Sequence, residues 1–183
     1  GTFFSFERAK IVPDIVCLSK SIGGYGLPMS LVLMKRGLDC WKPGLHTGTF
    51  RGNQLAFVAA TAAIQLWKDD AFVNAVKERT DLVERYLIDR IRPINEAITV
   101  RGIGLIWGID LSKVGTSELT KRISKRCFEM GLVVERCGRD DTTLKILPPL
   151  TISQEHLLAG LAILEKAIIE EVDSSQSCTG ESN

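Results

Sequence analysis

The sequence predicts an α/β fold, because short apolar runs and longer amphipathic stretches alternate along the chain. The apolar runs over 15–18 and 29–34 have the length and the bounding residues of strands. Apolar residues at helical spacing follow, first over 54–67 and then from position 70 as far as Pro93. Glycine and proline separate these stretches, as they do between the elements of a globular domain.

Bulk composition is that of an ordinary globular protein with a buried core. The 183 residues are 45% hydrophobic, and 23 basic residues nearly balance 22 acidic ones, which leaves a net charge of +1. Without a basic stripe, neither nucleic acid nor a membrane surface is an expected partner. The longest apolar stretch, over 55–67, is interrupted by Thr61 and Gln65 and is too short to cross a bilayer.

Cysteine and histidine are too scattered to predict a disulfide framework or a metal site. The five cysteines include no Cys-x-x-Cys pair and stand at positions 17, 40, 127, 137 and 178. Such usage is typical of a reducing compartment, so a cytoplasmic location is expected. With two histidines, His46 and His156, no metal-ligand spacing is present.

The segment around Lys20 is the centre of the functional prediction. A strand over 15–18 would deliver Ser19 and Lys20 to its carboxyl end, where ligands bind in an open α/β sheet. Gly23 and Gly24 let the backbone come close to a ligand. Partial burial would favour an uncharged amine, which can attack a carbonyl, so Lys20 is a candidate for covalent catalysis.

Plainer interpretations of this segment remain open at this point. Most lysines that follow a strand are solvated surface charges, and the glycines could form an ordinary turn. A phosphate-binding loop is disfavoured, because Lys20 precedes the glycines. A Gly-x-x-x-x-Gly-Lys-Ser/Thr loop has its lysine after them.

The second strand and the loop after it follow from composition. The 29–34 run is rich in Leu and Val and is expected to be buried on both faces. Pro43 and Gly44 mark a loop, which is expected to carry residues 46–53 to the ligand side.

Capping residues predict the starts of the next two helices. Asn53 can cap a helix that reaches Trp67, and Asp69 or Asp70 can cap the one that ends at Pro93. The second of these helices has an apolar face made of Phe72, Val76, Val83, Leu87 and Ile91.

A second, smaller domain is predicted over 94–172, with the order strand, helix, strand, strand, helix. Its first strand is expected over 103–111, where glycines permit close contacts or a bulge. A helix should begin at Ser117 and end before Gly131.

The rest of this domain is predicted as two strands and a final helix. The strands are expected over 132–135 and 144–147, on either side of a polar turn over 138–142. The tail over 173–183 has almost nothing to bury and is expected to be disordered. The buried stripe of the final helix is predicted as Leu157, Leu161, Leu164, Ile168 and Val172.

Two motifs bear a family resemblance. The stretch at 14–28, with Asp-Ile-Val-Cys-Leu-Ser-Lys followed by Gly-Gly and Leu-Pro, resembles the cofactor-lysine segment of the class III (omega-amino) aminotransferases. His-Thr-Gly-Thr-Phe-Arg-Gly-Asn at 46–53 resembles the second motif of that family. The segments 101–111 and 144–152 are similar to its small domain.

The resemblance implies pyridoxal 5'-phosphate (PLP) as cofactor and the fold type I of PLP-dependent transferases. Residues 1–93 would then be the end of the large PLP-binding domain, and 94–172 would be the small carboxyl-terminal domain. In the family, the residue that Lys20 matches holds the cofactor covalently and then acts as general acid and base.

Further roles are implied for the second motif. Thr49 would donate its hydroxyl, and Gly48 or Thr49 a backbone N–H, to the cofactor phosphate. A purely loop-shaping role for Thr47 and Thr49 is the alternative. Because family members insert this segment into the neighbouring active site, a homodimer or a higher even oligomer is implied.

Two departures from the family pattern bear on the substrate. Lys145 stands where many members have an arginine that grips a substrate carboxylate, and Arg51 stands where many have a glycine. Both are candidate substrate-binding residues, although Arg51 could equally form a salt bridge. The chain is most similar to the branch that exchanges the 4-amino group between L-2,4-diaminobutyrate and aspartate 4-semialdehyde, with glutamate and 2-oxoglutarate as the other pair. That branch serves ectoine synthesis and related pathways.

Two other functions stay open. The amino donor could be ornithine, acetylornithine or 4-aminobutyrate, as in other class III enzymes, with a 2-oxo acid as acceptor. The chain could also be a non-catalytic piece, because family members carry further cofactor contacts before the position of Gly1. These contacts are an aspartate at the ring nitrogen, a phosphate loop and a stacking aromatic. The sequence is therefore expected to be the carboxyl-terminal part of an enzyme.

Overall fold

Strands and helices alternate in the computed structural model, which describes residues 2–24, 26–49 and 51–177. The predicted α/β class is confirmed. The chain divides between positions 73 and 74 into two units, earlier than the predicted boundary at Pro93. The difference arises because the apolar face of the helical stretch before Pro93 belongs to the hydrophobic core of the second unit.

A β-hairpin is the central feature of the first unit. Strand β1 (Ile15–Ser19) pairs antiparallel with β2 (Ser30–Met34), so both predicted strands are confirmed. The expectation that the second strand is buried on both faces is wrong, since Val32 is 51% and Leu33 44% exposed. Consecutive residues of a strand point to opposite faces, so both faces of β2 are open in the described part of the chain.

Two helices follow, and their starts agree with the predicted caps. Helix α1 (Gln54–Gln65) is capped by Asn53, whose side-chain oxygen accepts a backbone N–H of the first turn at 3.2 Å. Helix α2 (Asp70–Tyr86) follows Asp69, whose carboxylate accepts the N–H of Ala71 at 2.9 Å. Asn53 and Asp69 are therefore confirmed as caps.

Helical backbone continues beyond α2. A π-helical turn, Leu87–Ile91, leads into a 3-10 turn, Arg92–Ile94, which contains Pro93. Pro93 lies at the end of the helical stretch, as predicted, although the α-helix itself stops at Tyr86. The π turn buries both of its end residues completely.

An antiparallel sheet and two helices form the second unit. The strands are β3 (Thr99–Ile103), β4 (Ile106–Asp110), β5 (Glu135–Cys137) and β6 (Thr143–Ile146), and they lie in the order β3-β4-β6-β5. Helices α3 (Ser117–Glu129) and α4 (Gln154–Ser177) pack against each other. The core includes the fully buried side chains of Leu87, Ile91, Ile98, Ile109, Leu111, Ile123, Leu144, Leu164 and Ile168.

The two predicted helices of this unit are confirmed. Helix α3 begins at Ser117, and Gly131, with φ +91°, follows its end. All five residues of the stripe predicted for α4 are buried. Helix α4 also continues through 173–177, where disorder was predicted, and there the Ser174 hydroxyl donates to the Glu170 carbonyl at 2.6 Å. Residues 178–183 lie outside the described ranges.

The strand predicted over 103–111 corresponds to β4, and a further strand that was not predicted, β3, pairs with it in a hairpin. Its turn between β3 and β4 contains Gly104, with φ +58°. Gly102 makes room for the Trp107 ring, since a Cβ at that glycine would lie 2.5 Å from a ring carbon. Gly104 therefore allows the chain to reverse, and Gly102 allows Trp107 to pack closely. Close contacts or a bulge within one strand had been expected.

The last two strands differ slightly from their predicted bounds. Strand β6 nearly coincides with the predicted 144–147, whereas β5 begins where the predicted 132–135 ends. The polar turn between them is confirmed, and its Asp140 and Asp141 both have positive φ angles.

The described residues include neither a candidate membrane-spanning helix nor a disulfide bond. None of the helices there combines the length and the apolarity that a membrane crossing requires. The four described cysteines are free thiols, and burial raises the pKa of Cys127 to about 11. Cys178 lies outside the described residues.

Candidate functional site

Lys20 occupies a strained backbone position directly after β1. Its φ angle is +57°, in the left-handed region that residues with a side chain seldom adopt. Ser19 has extended backbone, so the chain turns sharply at Lys20 and enters the 3-10 turn Lys20–Gly23. Strained residues cluster at functional sites, where the surrounding structure holds them. Lys20 thus lies at the carboxyl end of a strand, as predicted.

The Lys20 side chain is accessible for chemistry. The residue is exposed, whereas partial burial was expected. Across the described ranges, no hydrogen bond or ion pair engages its amine. A primary amine of this kind can attack a carbonyl once it has lost its proton.

Glycine packing fixes the turn that follows Lys20. Gly24 has φ +73°, and a Cβ atom there would lie 3.0 Å from the backbone oxygen of Ala59 on α1. Gly23 is buried, and a Cβ at this position would lie 3.2 Å from that of Met29. The turn is therefore held between α1 and the segment that leads into β2.

Arg51 closes the loop that carries Gly48 and Thr49. Its Nη1 donates to the His46 carbonyl at 3.1 Å, and its Nη2 donates to the Thr47 carbonyl at 2.8 Å. Nη2 also lies 3.0 Å from Nδ1 of His46, which accepts here because a guanidinium has no acceptor atom. These contacts favour a loop-supporting role for Arg51 over the substrate-binding role considered from the sequence.

Gly48 and Thr49 are exposed on this loop. A Cβ at Gly48 would lie 2.8 Å from the Arg51 Nε, so glycine lets the guanidinium fold across. No described residue hydrogen-bonds to the Thr49 hydroxyl, which can therefore donate to an anion. Tyr25 and Phe50, which belong to the two motifs, lie outside the described residues.

Lys145 lies in the second unit, on β6, and is paired with Glu135 on β5. The two residues are opposite each other in the antiparallel register, and the Lys145 ammonium contacts Oε2 of Glu135. This hydrogen bond raises the pKa of Lys145 above its ordinary value. The pairing of Glu135 with Lys145 was not predicted, because the register of two paired strands cannot be read from the sequence of either strand alone.

A cavity of about 370 Å³ opens beside this ion pair. Apolar side chains, among them Leu132 and Leu161, form most of its wall. Glu135, Lys145 and His156 are the ionisable groups of its lining. An apolar hollow with a few polar groups is the usual form of a small-molecule site.

The predicted site residues fall into three places. Gly48, Thr49 and Arg51 share one loop of the first unit, and Lys20 lies on another segment of that unit. Lys145 belongs to the second unit.

Residues 1–168 match the profile of the family described as "Aminotransferase class-III". A diaminobutyrate--2-oxoglutarate transaminase of Bordetella parapertussis is 49% identical over 178 residues, which are 96% of this chain and 40% of that protein. The enzyme of the same name from Wolinella succinogenes is 47% identical over 182 residues, which are 99% of this chain and 42% of that protein. The chain thus spans about two fifths of the length of these curated relatives.

A solved structure shows the same fold. The acetylornithine aminotransferase of Elizabethkingia anophelis superposes with a TM-score of 0.78 at 29% identity. The superposition covers 92% of this chain and 44% of that structure.

Proposed function

The chain belongs to the class-III aminotransferase family, and on this premise we propose that the whole protein exchanges the 4-amino group between L-2,4-diaminobutyrate and 2-oxoglutarate. The products would be aspartate 4-semialdehyde and glutamate. Family membership confirms the predicted fold type I of PLP-dependent transferases. The amino donor is proposed from the names of relatives at 49% and 47% identity.

The residues present fit the cofactor of this family, pyridoxal 5'-phosphate. Lys20 offers a primary amine for its aldehyde, without a partner in the part of the chain that the structure describes. The Thr49 hydroxyl is a donor for its phosphate. When bound, the cofactor supplies an electron sink for the charge that proton loss leaves on the substrate carbon.

Lys20 carries the proposed chemistry, and its place after β1 is the main observation in favour. It would hold the cofactor until the substrate amine takes its place, and its freed amine would then remove the proton from C4 of diaminobutyrate. The turn that Gly24 fixes against α1 would keep the Lys20 backbone in place between these tasks.

The loop of the second motif is proposed to serve a neighbouring subunit. Gly48 and Thr49 would bind the cofactor phosphate there, and Arg51 would hold the loop through its bonds to His46 and Thr47. This arrangement requires at least a two-fold dimer, because each site then takes residues from two chains.

Lys145 is proposed to bind the substrate carboxylate. Its ammonium is positively charged at neutral pH and lines the cavity beside Glu135, which supports this role. As a lysine it offers a point charge, where an arginine would offer a two-pronged fork. The product aspartate 4-semialdehyde, or diaminobutyrate in the reverse direction, suits ectoine synthesis or a related pathway.

Covalent labelling tests the role of Lys20. The full-length protein is incubated with pyridoxal 5'-phosphate and reduced with borohydride, and its peptides are analysed by mass spectrometry. We expect a phosphopyridoxyl group on the Lys20 peptide and none there in Lys20→Ala. Label spread evenly over surface lysines would contradict the proposed role.

A competition assay tests the substrate. Diaminobutyrate, ornithine, acetylornithine and 4-aminobutyrate are offered as amino donors with 2-oxoglutarate as acceptor. We expect diaminobutyrate to have the highest kcat/KM. Preference for another donor would overturn the proposed substrate, and no activity with any donor would favour a non-catalytic protein.

A further inference from the structure

His46 lies at the start of the loop that presents Gly48 and Thr49, and two of its groups bind Arg51. Its backbone carbonyl accepts a hydrogen bond from Nη1 at 3.1 Å, and its ring Nδ1 accepts one from Nη2 at 3.0 Å. Nη2 also donates to the Thr47 carbonyl at 2.8 Å. Of these three acceptors, the ring nitrogen is the one that can gain a proton.

The imidazole of His46 also packs against the Trp41 ring. The two ring centroids are 4.4 Å apart, and the ring planes are tilted by 39°. A turn in which the Leu45 N–H donates to the Lys42 carbonyl at 3.1 Å brings the two residues together. The contact with Trp41 limits rotation of the imidazole and so helps to keep Nδ1 directed at Arg51.

His46 must be neutral to make this bond. A guanidinium has N–H donors and no acceptor atom, so Nδ1 must offer a lone pair and the ring proton must be on Nε2. A histidine can gain a second proton between about pH 5 and 8, and here that proton would set two positive groups against each other. Asp39 and Lys42, which are of opposite sign, are the other charged residues that line the hollow beside the imidazole in the described ranges.

From this geometry, and resting on the proposed binding of the cofactor phosphate by Gly48 and Thr49, we propose that His46 is a positioning residue for that phosphate. Neutral His46 accepts from Arg51 and so helps to keep the loop in the conformation that presents the Thr49 hydroxyl. Protonated His46 repels the guanidinium, the loop loses one of its three bonds, and the phosphate must then order the loop as it binds. Phosphate affinity therefore falls when His46 gains its proton.

Protonation of His46 has two opposing electrostatic effects. The added charge attracts a phosphate, but His46 is exposed, and water and salt screen a charge at such a site. The repulsion of Arg51 acts over hydrogen-bond distance within the loop itself. Arg51 is also packed closely against Gly48, since a Cβ at this glycine would lie 2.8 Å from the arginine Nε. A displaced guanidinium therefore disturbs the phosphate-binding residues directly, and we expect this effect to exceed the added attraction.

The first test measures binding to the full-length protein after removal of its cofactor. Dissociation constants are determined for pyridoxal 5'-phosphate and for pyridoxal, which lacks the phosphate, at about pH 8, where a histidine is neutral. His46→Leu has no acceptor, whereas His46→Asn has an acceptor oxygen that can replace Nδ1 and cannot gain a proton. We expect His46→Leu to weaken binding of pyridoxal 5'-phosphate about two- to tenfold, as for loss of one hydrogen bond, and His46→Asn to keep the affinity. Neither variant should change the binding of pyridoxal.

The second test repeats these measurements at about pH 6, where a histidine can be protonated. The unmutated protein should lose more affinity for pyridoxal 5'-phosphate than His46→Asn does. The phosphate of the ligand also gains a proton in this range, but it does so for both proteins alike. His156→Asn is the matched control, because Nδ1 of His156 is hydrogen-bonded to Ser153, and it should behave as the unmutated protein.

Hydrogen exchange gives a readout that needs no cofactor. At about pH 6, peptides that cover 46–53 should exchange faster in the unmutated protein than in His46→Asn, because protonation loosens the loop. Equal exchange in the two proteins would contradict the proposed effect of His46 on the loop.

The outcomes separate this role from the proposed function of the loop. If Thr49→Val leaves the affinity for pyridoxal 5'-phosphate unchanged, phosphate binding by the loop falls, and the role of His46 falls with it. If Thr49→Val weakens binding but His46→Leu does not, the role of His46 is overturned and the loop keeps its function. An equal loss of affinity on acidification in the unmutated protein and in His46→Asn, or a smaller loss in the unmutated protein, would also overturn the role of His46.

Discussion

Lys10 and Lys20 share an unusual backbone conformation, with φ angles of +54° and +57°. Left-handed backbone costs a residue with a Cβ atom about 1–2 kcal/mol, which glycine does not incur. Lys10 ends a 3-10 turn and has no proposed role, whereas Lys20 is the proposed cofactor residue. The pair allows the strain at Lys20 to be separated from its chemistry.

Replacing either lysine with glycine is expected to stabilise the chain. For Lys20→Gly and for Lys10→Gly we expect the free energy of unfolding in urea to rise by about 0.5–1 kcal/mol, because relief of strain exceeds the entropy cost of glycine. Lys20→Gly should also abolish borohydride labelling at this position, while Lys10→Gly should leave labelling of Lys20 intact. A loss of stability in Lys20→Gly would show that its side chain contributes more to folding than its backbone costs.

Single residues differ in how far their roles could be predicted. The position of Lys20 directly after β1 and the cap Asn53 were predicted correctly, because both depend on neighbours in sequence. Arg51 was considered for substrate binding, yet its N–H groups donate to two carbonyls of its own loop. Such loop contacts follow no sequence periodicity, so they were not predicted. Glu135 was missed because its partner Lys145 stands on another strand.

The turn after β1 depends on which of its glycines touches a neighbouring element. Gly24 and Gly26 both have positive φ angles, of +73° and +80°. A Cβ at Gly24 would meet the backbone of α1, whereas a Cβ at Gly26 would meet nothing within 4 Å. The two positions therefore share a conformational cost and differ in packing.

Gly24→Ala is expected to disturb the Lys20 site more than Gly26→Ala. We expect it to cost about 1–3 kcal/mol of unfolding free energy and to reduce borohydride labelling of Lys20, because the turn must move away from α1. Gly26→Ala should cost less and should keep the labelling. Equal effects of the two variants would mean that packing against α1 does not position Lys20.

Elements whose hydrophobic pattern repeats over many residues were easier to predict than elements that depend on a turn. The stripe on α4 repeats over many turns, so its burial was found correctly. The strand predicted over 103–111 began before β4 and β3 was missed, because Gly104 can serve a turn or a bulge equally well. The start of β5 was misplaced because residues 132–134 are apolar but have no partner in the sheet.

Burial differs strongly between the two units. The hydrophobic core that contains Ile109 and Leu144 belongs to the second unit. The buried apolar residues of the first unit are small, Ala56 and Ala60, among the residues that the structure describes. The predicted boundary at Pro93 lies later than the division between the units, because the sequence of an apolar helix face does not show which hydrophobic core the face joins.

Hydrogen exchange of the isolated chain is expected to follow this contrast. Amides of β4, β6 and α4 should exchange slowly, because opening them exposes the core, whereas amides of β1 and β2 should exchange much faster. Mass spectrometry of peptides after timed exchange measures both sets. Equal protection of the first hairpin would contradict this expectation.

The three bonds from the Arg51 guanidinium to His46 and Thr47 bear on how tightly an anion could bind. A flexible loop must be ordered when its ligand arrives, and the lost freedom weakens the complex. Here the loop that presents Gly48 and Thr49 is already held by hydrogen bonds between its own residues. The loop has already lost conformational entropy on folding, so a phosphate would bind to a preorganised loop.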